Sequence, residues 1–102
     1  MKRNYEIVLI FRSDFNDIDN LINEYSSIIN NSHGLIHNIE DLGIIKFSYL
    51  IKKMSNGRYL LMNIEVIVNI IKELEKNFKL NSNIIRILIT KTQFYKKFSL
   101  KI

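Results

Sequence analysis

The chain has no cysteine, proline, tryptophan or alanine, and only three glycines and two histidines among its 102 residues. Without cysteine, neither a disulfide framework nor a thiolate metal site can form. The glycines stand at positions 34, 43 and 57, too far apart to cradle a phosphate in one loop. His33 falls where a helix should end and His37 stands alone on a strand, so neither metal ligation nor general-base duty is expected of them. Long hydrophobic runs are missing as well. Ile7-Val8-Leu9-Ile10-Phe11 is five residues, fenced by Glu6 and Arg12, against the ~20 that a spanning helix needs. It has no small-residue cleavage site, so no targeting segment is expected, and the product should act in the cytoplasm or inside an organelle.

What is present is unusual in kind rather than amount. Isoleucine occurs 20 times, and asparagine and lysine are abundant, a bias that fits AT-rich codons. Residue propensities are then weak guides, and positions matter more than identities. A chain of 102 residues makes one domain, able to bury about two thirds of the surface its unfolded form exposes. Fifteen Lys and Arg against ten Asp and Glu leave a net charge of +5, which favours polyanionic partners.

Residues 4–12 alternate as a strand, with Tyr5, Ile7, Leu9 and Phe11 on one face and Glu6, Val8, Ile10 and Arg12 on the other. Phe15, Ile18, Ile22, Tyr25 and Ile29 repeat at three- and four-residue steps and predict a helix over about 14–31. A long strand follows from residue 34, with Gly43 as a bulge. Asn56-Gly57 predicts the hairpin turn, because both residue types tolerate positive φ. The next strand begins after it, with YLLMNIE at 59–65. Ile67, Ile70, Ile71, Leu74 and Phe78 mark a second amphipathic helix over about 66–79, and residues 84–92 read as the last strand. The order is β1α1β2β3α2β4. It predicts an α+β ferredoxin-like sandwich: a four-stranded antiparallel sheet of order 4-1-3-2 with both helices on one face. Residues 1–92 form that domain, and 93–102 a short basic tail.

Such a sandwich leaves one sheet face open. Leu60, Met62 and Ile64, with Ile85, Ile87 and Ile89, are expected to face the helices. Val8, Ile10, Tyr59, Leu61 and Leu88 are then expected on the open face, among Glu6, Arg12, Asn63, Glu65, Arg86 and Thr90. An aligned apolar patch of this kind marks a surface for a protein partner.

No catalytic constellation is found. Glu40 and Asp41 are adjacent on a strand and so point to opposite faces, which prevents a shared proton or metal. Asp14, Asp17 and Asp19 are helix-start acids without the Gly or distal Glu of a calcium loop. An acylphosphatase-like enzyme shares this topology but needs a glycine-rich phosphate loop near Arg12, and none is there. No cofactor and no small-molecule substrate are expected. Nucleic acid is better supported, by cations spread over strands and termini. An RNA-recognition motif would stack bases on aromatics of its first and third strands. Here those strands offer only Val8, Ile10 and Tyr59, so RNA is expected to be held by backbone and shape. The competing reading is a ferredoxin-like interaction or regulatory module.

YEIVLIF at 5–11, EDLG at 40–43, Tyr49, YLLMNIE at 59–65 and IIRILITK at 84–91 together resemble the bacterial small-subunit ribosomal protein six family, over residues 4–92. The resemblance implies a structural constituent of the small ribosomal subunit with no catalytic activity. It implies binding to 16S-type ribosomal RNA in the central-domain platform, cooperatively with small-subunit protein eighteen. Carried over residue by residue, it implies RNA contact by Lys2, Arg3, Lys46, Tyr49, Arg86 and Lys91. The chain departs from the family's pattern at Ile44 and Ile45, where basic residues are usual, and at Leu50, where the family has proline.

Overall fold

The computed structural model describes residues 1–93, so all of the expected basic tail beyond Gln93 lies outside the described residues. Its elements are β1 (Lys2–Phe11), α1 (Ile18–Asn31), β2 (Leu35–Ile51), β3 (Met54–Ile67), α2 (Val68–Leu80) and β4 (Ile84–Thr92). They form one four-stranded sheet of order β2-β3-β1-β4 with antiparallel neighbours throughout. This is the expected ferredoxin-like sandwich.

The period-two pattern of β1 sets the core. Tyr5, Ile7, Leu9 and Phe11 lie buried with Leu60, Met62, Ile64 and Val66 of β3, under Ile18, Tyr25 and Ile29 of α1 and Ile71, Leu74 and Phe78 of α2. Each such side chain contributes roughly 1.5–3 kcal/mol on leaving water. The helices lock onto each other edge to face, with the Tyr25 and Phe78 ring centres 5.0 Å apart at 80°. Burial also pushes the Tyr25 phenol up to about 12.

Helix α1 begins four residues later than its periodicity predicts. Phe15 stacks on Phe11 at 5.1 Å, and its backbone N–H donates to the Arg12 carbonyl at 3.0 Å. Residues 12–15 are thereby held as a turn, and the helix starts after Asp17, whose Oδ1 accepts from Asn20 Nδ2 at 2.7 Å. At the other end His33 adopts φ 62°. Its N–H bonds the Asn30 carbonyl, and that of Gly34 bonds Ile29. This is a complete Schellman stop with histidine in the left-handed place, so His33 caps a helix, as its position implied.

The hairpin turn is not at Asn56-Gly57. Ile51 pairs with Met54, and the two-residue turn is Lys52-Lys53, at φ 49° and 67°. Gly57 is inside β3, buried, opposite Ile45. Its value there is its missing side chain. A Cβ would come within 2.7 Å of Ile10 Cγ2, 2.8 Å of Phe47 Cζ and 2.9 Å of the Phe11 carbonyl oxygen. Gly43 does make the expected bulge, at φ 80°, with its N–H donating to Asp41 Oδ1 at 3.0 Å. Further register shifts fall between Ile36 and Asn38 and between Lys46 and Ile51. Every extra residue lies on β2, which bends the hairpin.

That bend has a large consequence. The last β1–β3 pair is Phe11 with Arg58, so residues 45–57 extend past the end of β1. The extension curls back over the side of the sheet away from the helices. There Phe47, Ile51 and Met54 pack on a second buried cluster of Val8, Ile10, Leu61 and Ile85. Ile85 was expected among the helix-facing residues. A register shift at Ile10/Phe11 sets Ile10 opposite Arg86 and Phe11 opposite Ile84, and Ile85 joins the other side.

Candidate RNA and protein interface

The face opposite the helices is therefore not bare. Val8, Ile10 and Leu61 are 8%, 2% and 4% exposed, so three of the five residues expected to offer an apolar patch are covered by the chain's own hairpin. Tyr59 is half-buried and Leu88 is 43% exposed. The apolar side chains that do reach solvent on the strands lie chiefly along β2: Leu35, Ile44, Tyr49 and Leu50. β2 is an edge strand, so its outer backbone groups are open to pairing.

The six residues assigned to RNA fall into two groups. Lys46, Tyr49 and Arg86 line one groove of about 370 Å³, with Ile10, Phe47, Tyr59 and Leu88 among its walls and floor. β4 supplies Arg86 opposite Ile10, and the curled part of β2 supplies Lys46 and Tyr49. Arg86 Nη1 donates to the Tyr49 hydroxyl at 3.4 Å, and the Phe47 and Tyr59 rings meet at 6.2 Å. Lys2, Arg3 and Lys91 line a second hollow of about 310 Å³, with Asn4, Thr92 and Gln93. There β1 and β4 are tied by the Asn4–Thr92 pairing and by Asn4 Nδ2 donating to the Gln93 carbonyl at 3.3 Å. Arg86 and Lys91 are five steps apart along β4, about 17 Å at strand rise.

Between the two the face is acidic. Asn63, 5% exposed, donates to Glu6 Oε1 at 3.4 Å and accepts from Asn38 at 3.4 Å. Asn38 also donates to Glu40 at 3.1 Å, and His37 meets Glu65 at 3.3 Å. Asp41 points the other way, as strand alternation requires. Arg58 holds it through Nε at 3.1 Å and through Nη2. Those bonds, with that of the Gly43 N–H, keep the Asp41 carboxyl below its ordinary range. Arg58 is thus engaged by Asp41 within the fold. Among the described residues, no three His, Asp or Glu side chains are grouped to hold a metal ion, and no helix is long and apolar enough to cross a membrane.

Sequence reasoning missed Phe47, which packs with Ile51 and Met54 over the covered side of the sheet. Its signal was available: Ile45, Phe47, Tyr49 and Ile51 alternate, which marks an apolar face on this arm of the hairpin.

A split βαβ sandwich of this strand order is a protein of the ferredoxin-like class. Its relatives make that class specific. The family model for ribosomal protein S6 matches residues 4–91. The small ribosomal subunit protein bS6 of Blochmanniella floridana is 48% identical over 92 residues, covering 89% of this chain and 77% of the relative. That of Buchnera aphidicola subsp. Cinara cedri is 46% identical over 99 residues, covering 95% and 78%. The crystal structure of 30S ribosomal protein S6 from Thermotoga maritima superposes with a TM-score of 0.80 at 27% identity, covering 90% of this chain and 89% of that one. The chain belongs to the ribosomal protein S6 family of the small ribosomal subunit.

Proposed function

We propose that this protein is a structural, non-catalytic constituent of the small subunit in the bacterial cytoplasm. It binds 16S-type ribosomal RNA in the central-domain platform, cooperatively with small-subunit protein eighteen. The observation that carries the reading is the gathering of Lys46, Tyr49 and Arg86 into one groove and of Lys2, Arg3 and Lys91 into another. The two groups lie toward opposite ends of the edge strand β4, Arg86 beside Ile10 on the side away from the helices and Lys91 beside Tyr5 on the helix side. They therefore suit a phosphate backbone that passes along the sheet edge better than a single small anion. The protein partner is assigned to the exposed apolar edge of β2 at Leu35, Ile44 and Leu50, not to the covered Val8, Ile10 and Leu61.

Each phosphate neutralised adds roughly −0.7 to −0.9 to the slope of log affinity against log salt, so the five cations together account for a slope of about −3.5 to −4.5. Arg86→Ala is expected to weaken assembly with RNA and protein eighteen and to lower that slope by about one phosphate's share. An unchanged affinity and slope would remove Arg86 from the interface. Co-sedimentation with small subunits at moderate salt tests the whole assignment, and a wholly free pool would favour a module acting outside the ribosome.

A further inference from the structure

The groove between the curled hairpin and β4 has more than phosphate-binding chemistry. Tyr49 is 65% exposed, yet its hydroxyl accepts from Arg86, so an aromatic ring is held in place at the surface beside a guanidinium plane. Beneath lie Ile10 and Leu88, with the Phe47 and Tyr59 rings alongside. Its lining includes Lys46 and Arg86 but no carboxylate, while Glu6, Glu40 and Glu65 lie farther along the sheet. A basic peptide would be drawn to that acidic stretch, and an anion to the groove. Unpaired RNA bases stack on aromatic rings and on arginine planes, whereas paired A-form RNA keeps its bases inside. The volume, about 370 Å³, is within the range of small-ligand sites.

Resting on the RNA-binding reading above, we propose that this groove holds a single unpaired nucleobase, stacked on Tyr49 and Arg86, with Lys46 on the adjoining phosphate. RNA recognition is then not by backbone alone. It also selects an extruded nucleotide, at a place supplied by the bent hairpin rather than by the flat sheet.

The test uses the full-length protein together with small-subunit protein eighteen at low salt and two RNA hairpins of equal length and charge. One is fully paired, and the other carries a one-nucleotide bulge of 2-aminopurine, whose fluorescence reports stacking. Base stacking on an aromatic residue is worth about 1–3 kcal/mol, so the bulged RNA should bind roughly 5- to 150-fold more tightly, with quenching of the probe. Tyr49→Ala should abolish the preference and the quenching, so that the bulged and the paired RNA bind equally, whatever their common affinity. Tyr49→Phe should keep both. Equal binding of the two RNAs by the parent protein would overturn the proposal, as would a preference that survives Tyr49→Ala. A Tyr49→Ala protein that loses only protein eighteen would make the groove a protein contact and overturn it too. Failure of both RNAs to bind even with protein eighteen present would instead remove the RNA-binding reading beneath it.

Discussion

Replacing Gly57 with alanine adds one methyl group at the point where the hairpin presses on the sheet. The added carbon would lie 2.7 Å from Ile10 Cγ2, 2.8 Å from Phe47 Cζ and 2.9 Å from the Phe11 carbonyl oxygen. Ordinary contacts begin near 3.4 Å, so each neighbour must retreat by half an ångström or more. Phe47 can swing outward and Ile10 can shift within a packed cluster. The Phe11 oxygen cannot move without its strand, because Phe11 is paired on both sides, to Arg58 and Ile84. Overpacking of this kind costs about 1–3 kcal/mol. A domain of this size loses roughly 4–8 °C of melting midpoint per kcal/mol, so the expected drop is about 5–20 °C. Because the simplest relief is to lift the hairpin, the variant should also expose Val8, Ile10 and Leu61 and bind a hydrophobic dye while still folded. Thermal melts by circular dichroism and dye fluorescence below the transition measure both effects. A midpoint unchanged to within a degree or two would refute the account of Gly57 as a close-approach glycine. A drop without added dye binding would mean that the sheet yields and the hairpin stays down.

The turn makes an opposite prediction. Lys52 and Lys53 both occupy left-handed backbone, which costs a non-glycine residue roughly 1–2 kcal/mol. The double change Lys52→Asn, Lys53→Gly supplies the residues that such a two-residue turn prefers. After the extra unfolded freedom of glycine is subtracted, it should stabilise the fold by about 1 kcal/mol, read as a higher melting midpoint. A lower midpoint would mean that the lysine side chains contribute more than their backbone strain costs. The Asp41–Arg58 pair gives a pH dependence. The folded Asp41 carboxyl lies below its ordinary value of 3.8, so below that value the unfolded chain binds the proton more readily. The pair's stabilisation is therefore fully present above the unfolded value and is lost as pH falls through the folded one. Across about pH 5 to 2, Asp41→Asn should flatten the stability curve relative to the parent, as measured by urea unfolding. Parallel curves would show that the pair adds nothing.

Most of the architecture was legible because strands and helices write their periods into positions, even where 20 isoleucines blur propensity. Tyr5, Ile7, Leu9 and Phe11 were assigned to the core and are there, and so are Tyr25, Ile29, Leu74 and Phe78. What failed depended on long-range packing. Asn56-Gly57 carries the usual signature of a tight turn, but the clash at Gly57 is with Ile10 and Phe11 of β1 and with Phe47 of the curled β2, and is invisible to any local rule. Ile85 changed sides because of one register shift at the end of β1, which no pattern within β4 announces. The covered face follows from the same cause. A strand pattern tells which side a residue faces, but not whether another part of the chain will bend over to meet it. Of the interface, the two groups of cations were named individually from the family resemblance, while their grouping arose only from the strand register and the bend of β2.

The bend also explains how a small basic protein can keep a firm core and still offer something specific to a partner. A flat sheet of this topology would expose Val8, Ile10 and Leu61 across a broad apolar surface, an aggregation hazard for the free protein. Folding the hairpin over them removes that surface and, by the same movement, brings Lys46 and Tyr49 of β2 beside Arg86 of β4. Core coverage and groove assembly are thus one structural event. Substitutions that lift the hairpin, Gly57→Ala above all, should weaken binding at the groove without replacing Lys46, Tyr49 or Arg86, yet leave the site around Lys2, Arg3 and Lys91 intact. That asymmetry separates a groove built by the hairpin from cations scattered over a surface, because scattered cations would not notice where the hairpin lies.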